Sequence, residues 1–177
     1  MNGDSRRMIV PSMWVNLWYT DEGKTHGSSL QPSVSLRLST RLQASLGARI
    51  EQDHDHTQWF GNFTDDEGVT HYTFAHLNQR TLSMNVRVNY TAGPNLSFEF
   101  YGEPFVSRGT YSQFRELSAT PEADAYDARF QPFTPPSDAQ TSFRFAQLRT
   151  NAVLRWEYRP GSTLFLVWAH GRQDFAD

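Results

Sequence analysis

Leu82-Ser83-Met84-Asn85-Val86-Arg87-Val88-Asn89-Tyr90 alternates without a fault. Leu82, Met84, Val86, Val88 and Tyr90 fall on one side of an extended chain, and Ser83, Asn85, Arg87 and Asn89 on the other. Successive side chains of a strand point to opposite faces, so a period of two reads as a β-strand with one apolar face. Beyond Thr91-Ala92-Gly93-Pro94-Asn95 the pattern resumes, with Leu96, Phe98 and Phe100 opposing Ser97, Glu99 and Tyr101. Upstream, Val34, Leu36 and Leu38 alternate with Ser33, Ser35, Arg37 and Ser39, and then Ala44, Leu46, Ala48 and Ile50 with Ser45, Gly47, Arg49 and Glu51. Downstream, Leu148, Ala152, Leu154, Trp156 and Tyr158 oppose Arg149, Asn151, Arg155 and Glu157. Stretches at about 12–20 and 162–172 are apolar on both faces. The pattern predicts seven strands and no long helix.

The connections predict their arrangement. A polar loop, Asp21 to Gln31, separates strands one and two, and a few residues around Thr40-Arg41-Leu42 join two and three. A polar stretch around Asn62 to Gly68 follows strand three, and Thr91 to Asn95 closes the next hairpin. The longest loop runs from about Arg108 to Thr141. Arg159-Pro160-Gly161-Ser162 then has proline second and glycine third, as a type II turn requires. Long and short connections thus alternate, as they do in outer-membrane barrels, whose short turns face the periplasm and long loops the outside.

Composition narrows the classes. The 177 residues suit one domain, 1–177, with a sizeable core. A net charge of −3 with both signs interspersed gives no basic stripe for nucleic acid. There is no cysteine, so disulfides, thiolate metal sites and thiol catalysis are excluded. No apolar run approaches the roughly 20 residues of a spanning helix, and the start, Met1 to Arg7, lacks the apolar core of a secretory signal. A membrane crossing would therefore be made by strands. Tyr90, Trp156 and Tyr158 lie beside short turns, and Trp18, Tyr19, Trp59, Phe60, Tyr72 and Trp168 toward long-loop ends, where two interfaces select amphipathic rings. Arg37, Arg49, Arg87, Glu99, Glu103, Arg149, Arg155 and Glu157 are the polar candidates for a lumen, with Glu99, Glu103 and Glu157 pairing with Arg87, Arg149 and Arg155. A soluble sandwich or lipocalin-like barrel alternates too, with its apolar side turned inward. Seven traverses leave an odd strand and an open edge, so the sheet is expected to be incomplete, closed by a missing strand or a second chain.

Phe145-Ala146-Gln147-Leu148-Arg149-Thr150-Asn151-Ala152-Val153-Leu154-Arg155-Trp156-Glu157-Tyr158-Arg159-Pro160-Gly161-Ser162-Thr163-Leu164-Phe165-Leu166-Val167-Trp168 closely resembles the near-C-terminal hairpin of the domain-of-unknown-function 5916 family. Leu82 to Tyr90 with Leu96 to Tyr101, and Glu103-Pro104-Phe105-Val106-Ser107-Arg108-Gly109-Thr110-Tyr111 followed by Phe114-Arg115-Glu116-Leu117, are also similar to it. The likeness is strongest from about residue 70 to 170, and the first 60 residues match in style alone. It implies an outer-membrane barrel that follows a sandwich similar to family 9 carbohydrate-binding modules. This chain departs from that pattern in lacking the sandwich and the aromatic-rich closing strand, which leaves in doubt any sugar binding that belongs to the sandwich.

Three clusters bear on chemistry. In Asp53-His54-Asp55-His56 the two histidines share a face of an extended strand and suit a divalent metal, but no third ligand is fixed by spacing, and a hydrated loop flank is the plainer reading. Asp65-Asp66-Glu67-Gly68 offers oxygens for calcium and equally ordinary turn chemistry. Glu99, Glu103 and Glu157 suggest the paired carboxylates of a glycosidase less than lumenal ion pairing. In the long loop Tyr111, Phe114, Tyr126, Phe130 and Phe133 either stack on sugar faces or pack together as a lid, and the self-packed lid is favoured because such rings need burial. The expectation is a non-enzymatic outer-membrane barrel segment without cofactor, in contact with lipid and serving surface binding or uptake of a carbohydrate-related ligand. A soluble β-barrel or sandwich with an interior ligand is the alternative.

Overall fold

The computed structural model describes residues 7–176; residues 1–6 and 177, and with them most of the stretch read as lacking a secretory core, lie outside it. Eight strands form one antiparallel sheet: β1 (Ile9–Thr20), β2 (Thr25–Arg37), β3 (Leu42–Thr64), β4 (Thr70–Gly93), β5 (Leu96–Leu117), β6 (Phe130–Pro132), β7 (Ser142–Arg159) and β8 (Ser162–Ala176). Spatial order follows chain order, β1-β2-β3-β4-β5-β7-β8, with short β6 paired to the far end of β5. β1 and β8 are not paired to each other, so this up-and-down sheet is open. No α-helix is present among the described residues.

Register sorts the side chains by face, row after row. Leu36, Ala44, Val88, Phe100, Ala152 and Trp168 stand in line across β2 to β8. Two residues further, Val34, Leu46, Val86, Gly102 and Thr150 form the next row, and the last apolar row is Leu30, Ile50, Leu82, Val106 and Ala146. Among the described residues nothing covers these apolar rows: Phe98 is 36% exposed, Ile50 51% and Leu166 64%. Shelter lies on the polar side, where Ser29 and Ser107 are 2% and 3% exposed. Burial here is the reverse of a soluble sandwich, in which apolar side chains fill the interior between two layers.

Two glycines let side chains lie flat across that polar face. The Trp18 indole of β1 covers Gly27 of β2, where a Cβ would collide with the ring, and its Nε1 donates to Asp53 Oδ1 of β3 at 3.2 Å. The Phe143 ring of β7 covers Gly109 of β5 in the same way. At the type II turn Gly161 has φ 77°, as its place there predicts.

Several boundaries differ from the sequence expectation. Residues 25–31, expected to be loop, are the first half of β2, and β1 and β2 are joined by a tight turn at 21–24. β3 runs through His54, Trp59 and Phe63 to Thr64, and β5 runs to Leu117, so the connection expected at 108–141 is confined to 118–141 and holds β6. The last strand, expected to end at about residue 172, runs on as β8 to Ala176 in pairing with β7. The reason is common to all four. Beyond the apolar rows polar residues and aromatic rings are mixed on both faces, so alternation of hydropathy stops while backbone pairing goes on. The alternation of long and short connections accordingly becomes an overhang, with β3, β4 and β5 of 23, 24 and 22 residues rising well past the last apolar row. Trp168, expected near a long loop, sits instead among the apolar rows beside Ala152.

Candidate functional site

The eight charged residues expected on one face do share it, since the ladder places Arg37, Arg87, Glu99, Glu103, Arg149 and Arg155 on the side opposite the apolar rows. Their pairing is more local than expected. Arg155 reaches Glu157 at 3.4 Å, and Arg49 pairs with Glu51, which lies two residues along the same strand. Glu103 stands opposite Arg149 in register but accepts its hydrogen bond from the Tyr101 hydroxyl at 3.0 Å, while the Arg87 guanidinium lies 5.5 Å from the Tyr101 ring. A polar cleft of about 310 Å³ runs between Arg87, Asn89, Glu99 and Asn151. Glu157 also accepts from the Gly161 backbone N–H at 3.2 Å, so Glu103 and Glu157 each have partners of their own.

At the overhanging end the five aromatic candidates divide between two faces. Tyr111 and Phe114 belong to β5 rather than to a loop, and both turn to the polar side. There the Phe60 ring, on a β-bulge of β3, meets Tyr111 at 5.1 Å and Phe114 at 4.8 Å between centroids, reaching across β4. Phe133 comes back from the connection to stack on Phe63 at 5.7 Å. These rings border a cleft of about 490 Å³ whose walls include Phe60, Phe63, Tyr111 and Phe143, with the Gln140 and Ser142 side chains as polar groups and Phe175 of β8 at its edge. Flat rings with a few amides and hydroxyls suit a ligand that has both an apolar face and hydroxyl groups.

Tyr126 and Phe130 fold over the opposite face. A 3-10 turn, Tyr126–Arg129, lays the Tyr126 ring 5.4 Å from His56, with Lys24 of the β1–β2 turn 4.5 Å from its centroid, and the ring is buried. Lys24 also pairs with Asp127, and Arg115 lies 4.3 Å from the Phe130 ring. Arg115 Nη2 donates to His56 Nδ1 at 2.7 Å, so that nitrogen is an acceptor and the imidazole is neutral. Burial and the Arg115 charge together hold the His56 pKa at about 4. These groups stand beyond the last apolar row.

The Asp53–His56 segment lies within β3, not on a loop flank. His54 and His56 do share a face and are joined there by His26 and His76, with ring centroids 4.9 Å (His26–His54), 5.9 Å (His54–His76) and 3.8 Å (His56–His76) apart. Asp53 points to the other face, bound to Trp18, and no group of three side chains able to hold a metal is present among the described residues. Asp65 uses its carboxylate on the Glu67 and Val69 backbone N–H groups, 3.0 and 2.8 Å away, and Gly68 has φ 81°, which is turn chemistry. Sequence reasoning missed Phe60, Phe63 and Phe143 as cleft walls. The run Gln58-Trp59-Phe60-Gly61-Asn62-Phe63-Thr64, rich in residues that favour strands, was the available signal.

An open one-layer meander with one apolar and one polar face and no second layer among the described residues defines an all-β, sheet-forming class of protein. The chain belongs to the family described as Domain of unknown function (DUF5916), whose sequence model matches residues 1–177 and so takes in the first 60 residues as well. No curated protein and no solved structure matches it.

Proposed function

We propose that this chain is a segment of a non-enzymatic outer-membrane β-barrel, with its apolar face against lipid, its polar face lining a lumen, and the aromatic cleft at the outer mouth receiving a carbohydrate-related ligand. The observation that carries this reading is the uncovered apolar face. From Leu96 to Val106 strand β5 rises roughly 34 Å at about 3.4 Å per residue, and a tilt of about 40° reduces that to roughly 26 Å, close to the apolar band of such barrels. Trp156 and Tyr158, 6.0 Å apart, mark the short-turn end of the band. The unpaired edges of β1 and β8 call for a further strand or a second chain, because backbone groups facing hydrocarbon must be satisfied. Ring walls with sparse polar groups support a sugar-like ligand over a wholly apolar one.

The first test is partition. The chain expressed with a secretion signal is expected to extract only in detergent, and a monodisperse, β-rich monomer without detergent would refute the membrane placement. For the ligand, calorimetric titration of a panel of oligosaccharides is expected to give binding that falls at least tenfold in Tyr111→Ala. Equal binding by wild type and variant would remove the cleft from the function.

A further inference from the structure

One row beyond the last apolar row, Gln52, Arg80, Arg108 and Arg144 stand side by side across β3, β4, β5 and β7. Arg80 is the direct partner of Arg108, and Arg108 of Arg144. All three side chains belong to the apolar face by register and are exposed, and none is ion-paired among the described residues. The carboxylates nearest along β3 and β5, Glu51, Asp53 and Glu103, point to the opposite face. Asp174 of β8, opposite Ala146 and so diagonal to Arg144, is the acid on this side. Like charges placed directly opposite each other on a sheet are unfavourable. Three guanidinium groups in line are relieved by an anion that bridges them, and the fork of the guanidinium matches phosphate oxygens two at a time.

The surface beneath them says what kind of anion. A groove of about 570 Å³ is floored by Ile50, Leu82 and Val106 and rimmed by Gln52, Arg80 and Arg108, so its apolar and basic ends are continuous. Above the arginines a second hollow borders Arg80 and Arg108, where Asn78 and Thr110 add amide and hydroxyl groups on this face, and Asp53, which also lines it, turns its carboxylate to Trp18 on the other. Hydrocarbon floor, cationic rim and polar cap follow the order of an acyl chain, a phosphate and a hydroxylated headgroup. On the membrane reading given above, on which this inference rests, the row lies at the long-loop end and hence at the outer leaflet. We infer that Arg80, Arg108 and Arg144 form a docking site for the phosphate of a phosphorylated glycolipid whose acyl chains lie against the apolar rows.

The test uses the full chain in detergent micelles, titrated with lipid A that bears two phosphates, with the same lipid stripped of phosphate, and with inorganic phosphate. Binding is read by native mass spectrometry and by the rise in melting temperature. The bisphosphorylated lipid is expected to bind at least tenfold more tightly than the stripped form. That preference should be lost in Arg80→Gln/Arg108→Gln/Arg144→Gln and largely kept in the matching triple lysine variant. Should the triple glutamine variant not fold, Arg108→Gln alone, removing the middle charge, is expected to weaken binding about threefold or more. Equal affinity for both lipids, or no change in the glutamine variants, overturns the proposal. Inorganic phosphate binding as tightly as the lipid overturns it in favour of a soluble-anion site. A chain that enters phosphatidylcholine vesicles but ignores lipid A sinks this inference and leaves the membrane reading standing, whereas a monodisperse chain without detergent sinks both.

Discussion

His56 carries a pH dependence that can be worked out from its surroundings. Its pKa of about 4 lies below the ordinary 6.5, through burial first and the Arg115 charge second. The unfolded chain therefore takes up a proton before the folded one does. This group's contribution to stability is whole above pH 6.5 and is lost as pH falls toward about 4. His76 is shifted the same way, again chiefly by burial. His71 is raised by hydrogen bonding to Glu116 and Asp65, so its contribution is present below pH 6.5 and fades as pH rises through the raised value. Melting curves between pH 7.5 and 4.5 should show the overhanging end loosening on acidification, with a shallower slope in His56→Gln. An unchanged slope in that variant would rule His56 out as the sensor. Gly27 gives a second prediction at this scale: Gly27→Ala puts a methyl group into the Trp18 indole and should cost about 1–3 kcal/mol, as overpacking does, with loss of the Trp18–Asp53 hydrogen bond reported by indole fluorescence.

Strands β2, β3, β4, β5 and β7 are legible in the sequence wherever one face is apolar, because hydropathy then carries the period of two. Val86 and Arg87 could be assigned to opposite faces from their neighbours alone, and the register bears this out. Past the apolar rows the same backbone pairs Gly27 with Asp53 and Asn78 with Thr110, but polar residues on both faces leave no pattern to read. That is why the Asp53–His56 cluster was expected on a loop flank, and why Tyr111 and Phe114 were expected in a loop. The arginine row was invisible for another reason: Arg80, Arg108 and Arg144 are far apart in the chain, and register alone makes them neighbours. The face assignment itself predicts an asymmetry. Val86→Arg, in the middle of the apolar rows, should destabilise the chain in lipid by about 2–4 kcal/mol, while Ser35→Arg on the polar face should be nearly neutral. Refolding titrations in vesicles measure both; a reversed order would mean that the faces are exchanged, and equal penalties that neither face meets lipid.

At the scale of the molecule, the sheet has no second layer among the described residues and its edges are open, so on the membrane reading proposed above its completion calls for backbone that pairs with β1 and β8. The polar rim is braced across several strands: Lys24 of the first turn reaches Asp127 in the connection between β5 and β7, spanning β3 and β4. Every long strand pairs only with its neighbours in sequence, and β6 adds to that order without breaking it. Such a chain can close its hairpins one after another, every loop but the 118–141 connection being short, which favours rapid assembly over the slow search that distant pairings require. The same neighbour-only wiring has a meaning for descent. A hairpin gained or lost by duplication or deletion leaves the register of all the others intact, so the width of the sheet is free to change between relatives while each surviving strand keeps the residues of its two faces.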